Sequence, residues 1–150
     1  MKGFTLIEVL VSFSVIALLS AFSIASFSSY TTSQTFQNAV LNVSSTLALA
    51  KSRAISRVKP AACAGQVLNG YFVSFTSSTQ YVFGVLCNTT SYTLQTQQLP
   101  QNISFQSGTA TRIVFSTATA VVANPGQILI TGSGMTKKII VDATGKISVQ

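Results

Sequence analysis

The sequence predicts an α+β fold: a long N-terminal helix packed on an antiparallel β-sheet domain. The first half of the helix suits a membrane and the second is amphipathic. Three observations predict it. Residues 4–27, FTLIEVLVSFSVIALLSAFSIASF, run without Gly or Pro and carry one charge, Glu8. Phe36, Val40, Val43, Leu47, Ala50, Ala54 and Val58 then recur at steps of three or four, the spacing of one helix face. After Pro60 the pattern changes to alternation, the period of a half-buried strand.

The apolar run comes first along the chain. As a helix its 24 residues span about 36 Å, enough to cross the hydrocarbon core of a bilayer. Ser12, Ser14, Ala17, Ser20, Ala21 and Ser23 are small and allow helices to approach closely. The second stretch, residues 29–59, continues the helix into water after the polar segment Ser28-Ser29-Tyr30-Thr31-Thr32-Ser33. Lys51, Arg53, Arg57 and Lys59 crowd its C-terminal end, where cations favour the helix dipole, and Pro60 stops it.

The strands follow. Tyr71, Val73 and Phe75 alternate with polar partners, as do Tyr81, Phe83, Val85 and Cys87. Shorter runs lie at 92–94, 103–105, 113–115, 121–122 and 128–130, with Pro100 and Pro125-Gly126 marking turns. About seven to nine short strands are expected, in one or two sheets wrapped on the helix. At the C-terminus, Asp142-Ala143-Thr144-Gly145 suits a type I turn with Gly in the left-handed position. That register sets Asp142 opposite Lys146. It puts Ile139, Val141, Ile147 and Val149 on one face, and Lys138, Ile140, Asp142, Lys146 and Ser148 on the other. An opposite-charge pair across the strands contributes about 0.2–1 kcal/mol.

Composition narrows the function. Charged residues make up 7% of the 150, against about 25% in an ordinary chain, and mean hydropathy is +0.50. Such a chain is attached to a membrane or kept soluble by neutral polar groups, and its Ser, Thr, Gln and Asn supply the latter. Nine basic and two acidic residues give a net charge of +7, which favours anionic partners or serves solubility. Histidine is absent. The two carboxylates, Glu8 and Asp142, stand far apart in sequence, so no acid–base pair forms. Neither a metal-ligand spacing nor a phosphate-cradling loop occurs. These absences speak against an enzyme, and no metal or cofactor is expected. Cys63 and Cys87 pair as a disulfide beside an export signal, the alternative being two buried thiols. Closing that loop stabilises by roughly 3 kcal/mol.

A secretory signal peptide cut near Ala21-Phe22-Ser23 has the basic start it needs in Lys2, but its apolar run is too long. A plain membrane anchor leaves Glu8 without a reason, since a charge near mid-membrane costs about 2.5–3.5 kcal/mol. A third reading accounts for it. Lys2-Gly3-Phe4-Thr5-Leu6-Ile7-Glu8, followed by the unbroken helix, resembles the leader and cleavage site of type IV pilins and type II secretion pseudopilins. The resemblance implies a cut by prepilin peptidase between Gly3 and Phe4, methylation of the new Phe4 amine, and assembly into a filament through Glu8. A buried carboxylate is tolerable when paired, and the Phe4 amine of a neighbouring subunit is its expected partner. The same resemblance implies one pass through the bacterial inner membrane, a periplasmic C-terminal domain, and later a place in a pilus or pseudopilus. Many major pilins break this helix with Gly and Pro; its continuity here fits a minor pilin or a pseudopilin.

The final VDATGKISV, behind a long helix and a strand-rich region, is similar to the GspH/FimT group of minor pilins. The divisions expected are therefore a leader at 1–3, a membrane and filament-core helix at 4–28, its amphipathic continuation at 29–59, and a β-rich domain at 60–150. Two functions fit the resemblance. One is structural, with other pilin or pseudopilin subunits as partners. The other is DNA binding in natural transformation through Arg112, Lys137, Lys138 and Lys146. In the DNA-binding members two Arg residues follow the hairpin Gly, one residue apart; here those positions hold Lys146 and Ser148. Lysine serves a phosphate as a point charge and not as a bidentate fork. No aromatic is interleaved with these cations, so such binding would be to phosphates and salt-sensitive.

Overall fold

A computed structural model describes residues 5–150, apart from the side chains at 21–26. Helix α1 covers Leu6–Ile55. A 3-10 turn at Ala61–Cys63 follows, then eight strands: β1 Leu68–Phe75, β2 Gln80–Cys87, β3 Thr90–Gln98, β4 Ile103–Phe105, β5 Arg112–Ser116, β6 Gly126–Gly132, β7 Met135–Val141 and β8 Ile147–Val149. The chain divides into two compact units, Met1–Thr35 and Phe36–Gln150.

In the first unit every described side chain from 5 to 20 is exposed. Ser12, Ser14 and Ser20 each donate a hydroxyl to the carbonyl one turn back, at Glu8, Leu10 and Ile16 (2.7–2.9 Å). These hydroxyls are thus satisfied within the helix. Among the described residues no helix is long and apolar enough to cross a membrane.

The second unit buries the stripe. Phe36, Val40, Val43, Leu47, Ala50 and Ala54 are all buried, joined by Ala39 and Thr46. Thr46 returns its hydroxyl to the Asn42 carbonyl at 2.8 Å. Val58, expected to continue the stripe, is exposed, because the helix ends at Ile55 and not at 59. Arg57 takes a left-handed φ of 48°. Its amide then bonds the Ala54 carbonyl, and the Val58 amide bonds that of Arg53. This is the hydrogen-bond pair of a Schellman stop, with Arg where Gly is usual, so composition gave no signal of it. Pro60 comes after the stop. The Tyr71 hydroxyl donates to the Val58 carbonyl, tying the released chain to β1.

The strands form two four-stranded sheets, in the orders β3-β2-β1-β5 and β4-β6-β7-β8, with every pairing antiparallel. The run at 121–122 makes only an isolated bridge, Phe115 to Val122. Ala118 and Ala120, both at positive φ, fold the chain back there and leave no room for a strand. Inward-facing residues of both sheets and the α1 stripe share one core. Phe75, Tyr81 and Phe105 meet in it with ring centroids 4.9–6.3 Å apart, bringing β4 of the second sheet against the first. Tyr71 stacks on Phe83 at 5.7 Å.

The C-terminal hairpin has the expected register: Ile139 opposite Val149, Ile140 opposite Ser148, Val141 opposite Ile147. Gly145 has φ +74°, and a Cβ there would lie 2.7 Å from the Ala120 carbonyl oxygen, so both conformation and space call for glycine.

Candidate functional site

The first candidate site is the start of α1. Gly3 and Phe4, the expected cleavage and methylation positions, lie outside the described residues. Glu8 is described. It sits in the first turn of α1, where a carboxylate suits the helix dipole, and its amide bonds the Thr5 carbonyl at 3.1 Å. Its side chain is exposed among exposed Leu6, Ile7, Val9, Leu10 and Val11. The one acidic residue of this unit therefore sits in a surface made mostly of apolar side chains.

The cysteines form the second. Cys63 and Cys87 are joined, with Cα atoms 5.5 Å apart, and both are fully buried. The bond fastens the 3-10 turn to the end of β2. Asn88, at φ 52°, completes this corner: its amide and side-chain oxygen bond Val67, and its carbonyl accepts the Asn69 side-chain amide.

The cations expected to bind DNA lie on different elements. Arg112, on β5, lays its guanidinium 3.7 Å from the centroid of the Phe72 ring and donates to the Ser91 hydroxyl at 2.9 Å. Burial lowers its pKa from the ordinary arginine value. Phe72 in turn lies over Gly84, where a Cβ would come within 2.3 Å of the ring and 2.6 Å of the Tyr92 carbonyl oxygen. Arg112 is thus a staple on the outer side of its sheet. Lys137 and Lys138 are successive residues of β7, so they face opposite sides of the other sheet. Lys146 is exposed in the hairpin loop.

Lys146 instead lines an open groove of about 480 Å³ with Lys51, Ser52 and Ile55 of α1 and Ser56 just past its end. The expected pairing with Asp142 takes another form. The Asp142 carboxylate accepts from the Thr144 hydroxyl at 2.6 Å and from the backbone amides of Thr144 and Lys146, each at 2.9 Å. Those bonds, with the Thr144 hydroxyl foremost, hold its pKa below the usual carboxylate value. The acid shapes the loop, and the Lys146 backbone is its partner. Another contact outside the sequence reading is Arg53, set 5.3 Å over the Phe83 ring.

Two family models match the chain. Residues 1–24 match the prokaryotic N-terminal methylation motif. Residues 39–145, more than two thirds of the chain, match type II transport protein GspH. No curated protein and no solved structure matches it.

Proposed function

Because the chain belongs to the type II transport protein GspH family and opens with a prokaryotic N-terminal methylation motif, we propose that it is a structural subunit of a pilus or pseudopilus. Prepilin peptidase cuts it after Gly3 and the new Phe4 amine is methylated. Residues 4–28 hold it in the bacterial inner membrane with the β-rich domain in the periplasm. It then joins other pilin or pseudopilin subunits as a minor pilin or type II secretion pseudopilin.

The observation that supports this reading is the exposed apolar surface of the first unit with Glu8 set in it. Apolar side chains on all sides of a helix need lipid or other helices around them. A carboxylate among them is costly to leave unpaired. Cutting after Gly3 creates a cationic amine one helical turn before Glu8. In a bundle of such helices, Glu8 of one subunit can meet the Phe4 amine of the next. Both charges are then paired only in the assembled state, which favours one stagger of neighbouring helices.

Mass spectrometry of the N-terminal peptide tests the processing. Chain isolated from cells with prepilin peptidase should begin at N-methylated Phe4, and chain from cells lacking it at Met1 or Lys2. A start beyond Ala21 would make the segment an ordinary signal peptide, and an uncut chain in both strains would make it a plain anchor.

A further inference from the structure

The two sheets have four outer edges, and three are short or covered. β4 and β8 are three residues long. β5 is covered by 121–123, through the Phe115–Val122 bridge and bonds from the Ser116 amide to Val121 and the Ala123 amide to Val114. Short and covered edges are the usual protection against unwanted strand pairing. The fourth edge, β3, is nine residues long, TSYTLQTQQ. It carries neither a charge nor a proline, and among the described residues nothing pairs with its outer side.

The ladder shows which residues of β3 face outward. The Thr76 amide bonds the Gln80 carbonyl, so even-numbered positions of β2 turn their backbone groups to β1 and odd-numbered ones to β3. The partners of Tyr81, Phe83, Val85 and Cys87 are Gln97, Gln95, Tyr92 and Thr90, with Leu94 bulged out. The backbone groups of Ser91, Thr93, Thr96 and Gln98 are then the ones that look away from the sheet, two on each side of the bulge. Their side chains are exposed.

That spacing is self-complementary. We propose that β3 pairs with β3 of a second copy of this chain, antiparallel, with Ser91 opposite Gln98 and Thr93 opposite Thr96. A two-fold axis then makes each contact twice, and the two bulges fall side by side. Threonine opposite threonine and serine opposite glutamine are favourable polar neighbours across strands. Charge also points to a second copy. The chain carries +7, yet residues 60–111 contain no charged residue. This stretch, which includes β1 to β3, can meet its own kind without like charges in contact: the one cation shown reaching β3, Arg112 at the Ser91 hydroxyl, lies in the proposed pairing opposite the neutral Gln98.

Two full-length chains co-expressed in one cell test this. One carries Thr93→Cys, the other Thr96→Cys; the native cysteines are already joined to each other. A short thiol cross-linker should give a dimer of the two chains. Adding Ser91→Lys to the first and Gln98→Lys to the second sets lysine opposite lysine, and the dimer should be lost. Replacing that Gln98→Lys by Gln98→Glu should restore it, which a folding defect would not allow. Absence of the first dimer, its survival with both lysines, failure of the glutamate to restore it, or cross-linking to a different protein instead would each overturn the proposal.

Discussion

Two stretches of one helix carry large apolar side chains and treat them in opposite ways. In residues 5–20 they are exposed: Leu10 is 57% and Phe13 66% accessible. From Phe36 onward one stripe of them is buried, with Phe36 and Leu47 at 0%, while Leu41, Leu49 and Ile55, off that stripe, stay exposed. The second stretch meets its apolar counterpart in the same chain, in the inner faces of two sheets. The apolar side chains of the first stretch stay exposed. Apolar content alone does not locate a core; the period of the pattern does. A stripe one face wide is answered within the chain, and a surface apolar all round calls for lipid or other chains.

The largest effect that separates the two stretches should come from truncation. Leu47→Ala should lower the stability of the full chain by about 2–5 kcal/mol, the range for a buried leucine. Leu10→Ala should leave a detergent-solubilised melt unchanged. Denaturant titration of both variants measures this, and a comparable loss at Leu10 would break the contrast. Next in size is the disulfide, which belongs wholly to the second unit. Replacing both Cys63 and Cys87 by Ser should cost about 3 kcal/mol for a loop of this length, read from the same titration and from reduction of the wild type.

The smallest effect should be at Asp142. Its pKa is lowered in the folded chain, by hydrogen bonds from Thr144 and the Lys146 amide. The folded state therefore binds that proton less readily than the unfolded state does. The stabilisation is fully present above the ordinary carboxylate value near 3.8 and is lost as pH falls through the lower folded value. Amide exchange in the hairpin should quicken in that acidic range in the wild type. In Asp142→Asn the extra pH dependence should be absent.

Much of the second unit was legible because its signals are local. The α1 stripe follows from the 3.6-residue period, β1 and β2 from alternation, and the last hairpin from Asp142-Ala143-Thr144-Gly145, whose register the structure reproduces. What escaped depends on contacts distant in sequence or on unusual residues. The Arg112 staple exists because β5 pairs with β1, skipping three strands, and no local pattern announces that. The helix stop uses Arg57 in a conformation usually given to Gly. Lys51 and Lys146 share a groove because the hairpin returns to α1. At the N-terminus, Glu8 is singled out by its isolation in an apolar run, its role resting on the proposal above, while Gly3 and Phe4 rest on the motif and lie outside the described residues.

The most direct measurement compares wild type and Glu8→Ala in cells, scoring the fraction of subunit recovered in sheared pili or pseudopili alongside the stability of the purified chain. Glu8→Ala should leave stability unchanged and largely remove the subunit from the filament. Entry at the wild-type level would contradict the assignment of the first stretch to assembly through Glu8.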